Sequence, residues 1–268
     1  MKRAQKQNKQ TGFTLIELMA SVTIFIVISG AIFGLLGTSQ KLFRTQSQLL
    51  SSFQEARLGM DQIVRDSNAS GYPPVNHFST LPALSSSYVI SPIAWMPGYL
   101  TPASCTIGTA GGGTCTTPGD FDVIFEGDFN DGNGVEWIRY RLQGTTLYRG
   151  VAPKSAVADP VATTNVAGVM LPYVTNVMNN TSSAQIAAIR ASYPTMFPGG
   201  AAQPIFQFIC DSGTSTVLCQ NAGGSNSPSN VRDIEITLIV MSPQRDAQTN
   251  KLRLVELSGR GHRKNPNQ

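Results

Sequence analysis

The sequence predicts an α+β protein: one long N-terminal helix followed by an antiparallel β-sheet head with long loops. Three observations carry this. Leu18 to Gly37 is a run of twenty residues without a charge. Beyond it, Leu49, Phe53, Ala56, Met60 and Ile63 recur at steps of four and three, one apolar stripe of a helix. From Phe121 onward apolar and polar residues alternate with period two between Gly- and Asn-rich turns, which is the pattern of strands.

Taken in order, residues 1–12 form a basic leader holding Lys2, Arg3, Lys6 and Lys9 and no acid. The charge-free run spans ~30 Å at the helical rise, the thickness of a bilayer core, so residues 13–37 are expected to be a single membrane-crossing helix. Within it, Gly30 and Gly34 are spaced for close packing of helices in lipid, the alternative being local melting. Residues 38–71 continue the helix as its amphipathic half, with Arg57–Asp61 and Asp61–Arg65 spaced as i,i+4 charge pairs. Gly71, followed by Tyr72-Pro73-Pro74, ends it. From Phe13 to Ser70 the helix would measure ~87 Å.

Residues 72–268 make up the head. Residues 75–119 read as an insertion with little regular structure. A meander is expected next: a strand from Phe121, a turn from Gly127 to Gly134, then strands Val135–Leu142 and Thr146–Val151. Residues 182–193 read as a short helix with Ile186 and Ile189 inward, capped by Ser182 or Ser183. Strands follow at Gln203–Cys210, Val231–Met241 and Lys251–Ser258.

Composition narrows the function classes. Only 13% of residues are charged, about half the usual share, and a surface of neutral polar groups suits an extracytoplasmic protein. Without the four leader cations, the 20 Lys and Arg fall to 16, equal to the 16 acids. That balance argues against a nucleic-acid surface, which needs clustered Lys and Arg. The cysteines fall into two close pairs, Cys105/Cys115 and Cys210/Cys219, neither with zinc or redox spacing. Each pair lies in a Gly/Ser/Thr-rich stretch that a short disulfide would staple in an oxidising compartment; four unpaired thiols are the alternative. An enzyme is not expected. His77 and His262 are the two histidines, read in loop and tail, with no nucleophile or ligand spacing beside them. Gly111-Gly112-Gly113 lacks the Lys and the strand–helix setting of a phosphate loop.

The distinctive feature precedes the apolar run: Gly12-Phe13-Thr14-Leu15-Ile16-Glu17-Leu18. An acid near the start of a membrane helix costs several kcal/mol unless paired, so Glu17 is expected to be functional. A short basic leader ending in Gly, then Phe-Thr-Leu-Ile-Glu, resembles the prepilin signature of type IV pilins and type II secretion pseudopilins. The resemblance implies a pilin-like fold. It implies cleavage between Gly12 and Phe13 by a membrane-embedded prepilin peptidase, N-methylation of Phe13, and a role for Glu17 in neutralising that amine on a neighbouring subunit during assembly. A plain anchor with an accidental acid does not account for Gly, Phe and Glu at this spacing beside a basic leader.

Arg57-Leu58-Gly59-Met60-Asp61, Val64-Arg65-Asp66, Gly71-Tyr72 and Leu147-Tyr148-Arg149 further resemble the J-type minor pseudopilins and the PilW-type minor pilins. What this implies is a structural subunit that helps initiate or cap a type IV pilus or type II secretion pseudopilus. Its partners would be other minor and major pilins or pseudopilins, an inner-membrane assembly platform and the lipid of the inner membrane. The N-terminus would be cytoplasmic, the head periplasmic, and the final place a filament tip. The second reading is a tip-borne binding module for adhesion or DNA uptake, although the neutral head speaks against nucleic acid. No cofactor is expected, with one exception to weigh. The loop from Asp128 through Asn130 and Asp131 to Glu136 is dense in the hard oxygen ligands that Ca²⁺ takes, but it departs from the EF-hand register, and a polar hairpin turn is the plain reading.

Overall fold

The computed structural model describes residues 12–94, 107, 118–129, 132–154, 166, 168–179, 184–211, 216–219, 228–246 and 250–263. Helix α1 runs from Leu15 to Ala69, 55 residues without a break, or ~83 Å. It starts two residues later than expected because Thr14, in extended backbone conformation, is its N-cap. It stops where expected: Ser70 leaves helical geometry and donates its N–H to Asp66 O, and Gly71 takes φ +91. That left-handed conformation favours glycine. Pro73 follows through a cis peptide bond.

The head holds two antiparallel sheets rather than the single one expected. The first is five-stranded, ordered β1 (Ile93–Ala94), β2 (Asp122–Asp128), β3 (Val135–Gln143), β4 (Thr146–Pro153) and β5 (Leu171–Val174). The second is ordered β7 (Thr216–Leu218), β6 (Phe206–Asp211), β8 (Val231–Met241) and β9 (Leu254–His262). A short helix α2, Ala184–Ala191, lies between β5 and β6 in the chain. The meander and β8 match the expected strands closely. β2 runs into the expected turn as far as Asp128, and β9 is both later and longer than Lys251–Ser258. Three short strands stand where irregular chain was expected: β1 within 75–119, β5 before α2, and β7 after β6. Two-to-four-residue segments carry too little periodicity to be read alone.

The apolar stripe of α1 packs as its spacing requires. Ala56, Met60 and Ile63 are buried, and they join Phe125, Ile138 and Tyr140 of the first sheet and Ile234, Ile236 and Leu238 of the second in one core. Leu49 and Phe53 are only half-buried. Close approach is made by glycines: a Cβ on Gly59 would overlap Val174 Cγ2, and one on Gly259 would lie 2.9 Å from Val64 Cγ2. The charges of Arg57, Asp61 and Arg65, expected to pair along the helix, are exposed and form no ion pair among the described residues.

Buried polar groups tie the elements together. Asp66 accepts from Tyr140 Oη at 2.6 Å and from Arg149 Nη2 at 3.1 Å, while Arg149 Nε donates to Tyr140 Oη at 2.9 Å. Burial first, then the Asp66 charge, pushes the Tyr140 hydroxyl far above its ordinary range, so it stays a donor. On the opposite face of the first sheet, Lys154 Nζ lies 2.7 Å from Glu126 Oε1, and neither side chain is exposed at all. Glu126 also accepts from Trp137 Nε1 at 2.8 Å and from the backbone N–H of Ile90 at 3.0 Å. Lys154 donates to Tyr88 O at 2.9 Å. This ion pair clamps the chain from Tyr88 to Ala94 onto the sheet. Strand alternation turns Glu126 away from the core that holds Phe125; the segment 88–94 covers that side, so every residue from Val123 to Gly127 is buried.

Candidate functional site

The site lies at the exposed start of α1. Thr14 and Glu17 form a capping box. Glu17 N–H donates to Thr14 Oγ1 at 3.4 Å, and Glu17 Oε2 accepts from Thr14 N–H and from Thr14 Oγ1, both at 2.9 Å. The pattern Thr14-x-x-Glu17 is the sequence signal of such a box, so the cap at Thr14 is written in the sequence beside the Gly12, Phe13 and Glu17 signature. The box satisfies helix-end donors that hydrocarbon could not. It also holds the carboxylate at the first turn, where the helix dipole favours negative charge. Glu17 Oε1 accepts no hydrogen bond among the described residues.

Phe13, adjacent to the cap, is 89% exposed. Gly12 has no steric reason to be glycine within this chain: a Cβ built there meets nothing within 4 Å. No positive φ is recorded for it either. The described residues thus set no demand for glycine at this position.

From Leu15 to Lys41 no residue of α1 is buried and the head does not flank it among the described residues, so ~40 Å of helix projects from the head. Its first half is long and apolar enough to cross a membrane, and none of that stretch is buried in the head. A soluble protein rarely exposes a contiguous apolar surface of this extent, which includes Phe25, Val27, Phe33 and Leu35.

The remaining expected site residues divide between described and undescribed chain. Cys210 and Cys219 form a disulfide. Cys105 and Cys115 lie outside the described residues, as do Asn130 and Asp131. Of the calcium set, Asp128 and Glu136 stand at the β2–β3 hairpin, where Asp128 pairs with Val135 and Glu136 with Gly127. Directly opposed residues share a face and successive residues alternate, so Asp128 and Glu136 point to opposite faces of the sheet and do not converge. Among the described residues no group of three His, Cys, Asp or Glu could hold a metal ion. His262 is not in a loose tail but ends β9, with Nδ1 in hydrogen-bond reach of Asp233 Oδ1. Arg260 Nη2 binds Oδ2 of the same carboxylate at 2.7 Å. Desolvation raises the Asp233 carboxyl, but the hydrogen bonds and charges of Arg260 and His262 outweigh it and hold the group below its ordinary range.

Residues 7–33 match the family profile described as the prokaryotic N-terminal methylation motif. The match covers the Gly12–Phe13 junction, Glu17 and most of the apolar run, and it supports a type IV pilin-like protein. No curated protein and no solved structure matches the chain.

Proposed function

We propose that this chain is a minor pilin or pseudopilin, a structural subunit that helps initiate or cap a filament of the type IV pilus or type II secretion class. The observation that carries the reading is the methylation motif standing at the start of a helix whose apolar half the head leaves uncovered. An apolar helix without a partner in its own chain calls for lipid at one stage and for other helices at another. Processing by a prepilin peptidase at Gly12–Phe13 would turn the Phe13 amide nitrogen into an amine. Glu17 Oε1 is the open acceptor for such an amine on an adjacent subunit, while Oε2 stays in the capping box. A carboxylate in a lipid-like core is strongly unfavourable until such a cation arrives. In this reading the head works by contact rather than chemistry, and it needs no cofactor.

Mass spectrometry of the native protein tests the reading: the chain should begin at Phe13 and carry one extra methyl group. A mature start at Met1, or beyond Gly37, overturns it. A Glu17→Val variant should still be cleaved and membrane-inserted, with its head folded, but should fail to enter filaments. Incorporation equal to wild type would refute the pairing role and leave the anchored binding module as the better description.

A further inference from the structure

The base of the head carries a charge pattern that the motif does not account for. Among the described residues, the chain connecting β8 to β9 lies beside α1 at the level of Leu42 to Leu49. Its Ser242, Gln244, Asp246 and Arg253 face Leu42, Thr45, Gln46 and Leu49 of the helix across a cleft of about 230 Å³. The next head contacts on α1 lie well above, where Thr175 meets Glu55 and Val174 meets Gly59. Leu42 is five residues past Gly37, the end of the apolar run, and Leu49 is twelve. At 1.5 Å per residue the cleft stands roughly 7–18 Å beyond the hydrocarbon, at and just above the headgroup layer.

These two segments carry five cations: Lys41 and Arg44 on the helix, Arg253 lining the cleft, and Arg245 and Lys251 on the side of the connection that faces Ser192 and Tyr193. All five are exposed. Residues 38–54 and 242–254 contain one acid, Asp246, which pairs with Arg253 at 2.5 Å and is nearly buried. Arg245 is steadied by a 3.0 Å bond from Nη1 to Asn250 O. Past Gly12 the chain holds equal numbers of acids and bases, so an excess of four cations here leaves the rest of the mature chain with an excess of four acids. The charge of the head is thus polarised, with its positive end toward the bilayer.

We infer that this collar docks the head on anionic phospholipid, binding the phosphodiester headgroups of the same membrane that α1 crosses. The inference rests on the reading of α1 as a membrane span. Long Lys and Arg side chains can follow the stem toward lipid while keeping their charge in the interface. An anionic surface attracts each such cation about fivefold, and the attraction fades within a Debye length. The collar holds the head upright and close to the membrane before the subunit is drawn out. Extraction into a filament must break these contacts, so lipid charge sets how readily the subunit is released.

Hydrogen exchange on the full chain in nanodiscs tests this, comparing discs of phosphatidylcholine alone with discs also containing phosphatidylglycerol. Segments 41–46 and 242–246 should exchange several-fold more slowly in the anionic discs, and added salt should remove the difference. The double variant Arg245→Gln/Lys251→Gln should remove most of the difference between the two lipids while β8 keeps wild-type protection. Equal exchange in the two lipids, with the chain still resistant to alkaline extraction, overturns the collar and leaves the span intact. Release of the chain by alkaline extraction overturns the span, and the collar with it.

Discussion

Replacing Lys154 with Met tests whether the buried ion pair holds the insertion onto the first sheet. Met fills a similar volume and removes one charge, 2.7 Å from Glu126 Oε1 in a place where neither side chain touches water. Glu126 keeps its bonds from Trp137 Nε1 and Ile90 N–H, but its charge loses this counter-ion. Breaking a buried pair from one side costs about 3–5 kcal/mol, a large part of the ~5–15 kcal/mol that holds an ordinary domain folded. Adding Glu126→Gln removes the second charge, so the double variant should recover about 2 kcal/mol relative to Lys154→Met alone. Recovery stays incomplete because Trp137 and Ile90 donate to different oxygens of Glu126, and in Gln one of those positions becomes an NH2 donor. Urea unfolding followed by tryptophan fluorescence suits the measurement, since Trp137 itself bonds to Glu126. The midpoint should fall with little change in slope. A Lys154→Met loss below about 1 kcal/mol, or a double variant no better than the single, would refute the account.

Three further predictions follow from particular contacts. A Cβ on Gly261 would overlap Ser67 Oγ and lie 2.6 Å from Ser67 Cβ, so Gly261→Ala should push α1 from β9 and cost about 1–3 kcal/mol; an unchanged melting temperature would show that the helix has room to shift. Arg190 is 2% exposed, sits over the Phe197 ring, and has no hydrogen-bond partner for Nε or Nη1 among the described residues. Arg190→Met should therefore raise stability by about 1–3 kcal/mol, and a fall in melting temperature would reveal a partner. Asp233 has its carboxyl pKa lowered by Arg260 and His262, so its stabilisation is complete above the unfolded value near ~4 and is lost as pH falls through the lower folded value. The stability gap between wild type and Asp233→Asn should be widest above the unfolded carboxylate range and should narrow as pH falls through the lower folded value. Burial raises Asp120 and Asp122, an effect of opposite sign, so the difference between the two proteins is the quantity to measure, and a gap independent of pH would contradict the assignment.

The sequence by itself determined the features whose cause is local. The length and charge-free composition of the run ending at Gly37, the stripe from Ala56 to Ile63, the stop at Gly71 and the alternation of β2, β3 and β8 each depend on neighbours in the chain. So does the Gly12–Phe13–Glu17 signature, which is a continuous stretch of chain within the matched motif. Tertiary structure alone decided which polar residues would be buried. Nothing near Glu126 announces Lys154, 28 residues away, and nothing near Asp66 announces Tyr140 and Arg149, 74 and 83 residues away. A charge leaves water only when folding brings it a partner, and that pairing is a property of the whole chain path. The same holds for the short edge strands β1, β5 and β7, which exist because a longer neighbour offers them hydrogen bonds. It holds too for the basic collar, whose two halves lie about two hundred residues apart and meet only where the β8–β9 connection comes down beside the helix.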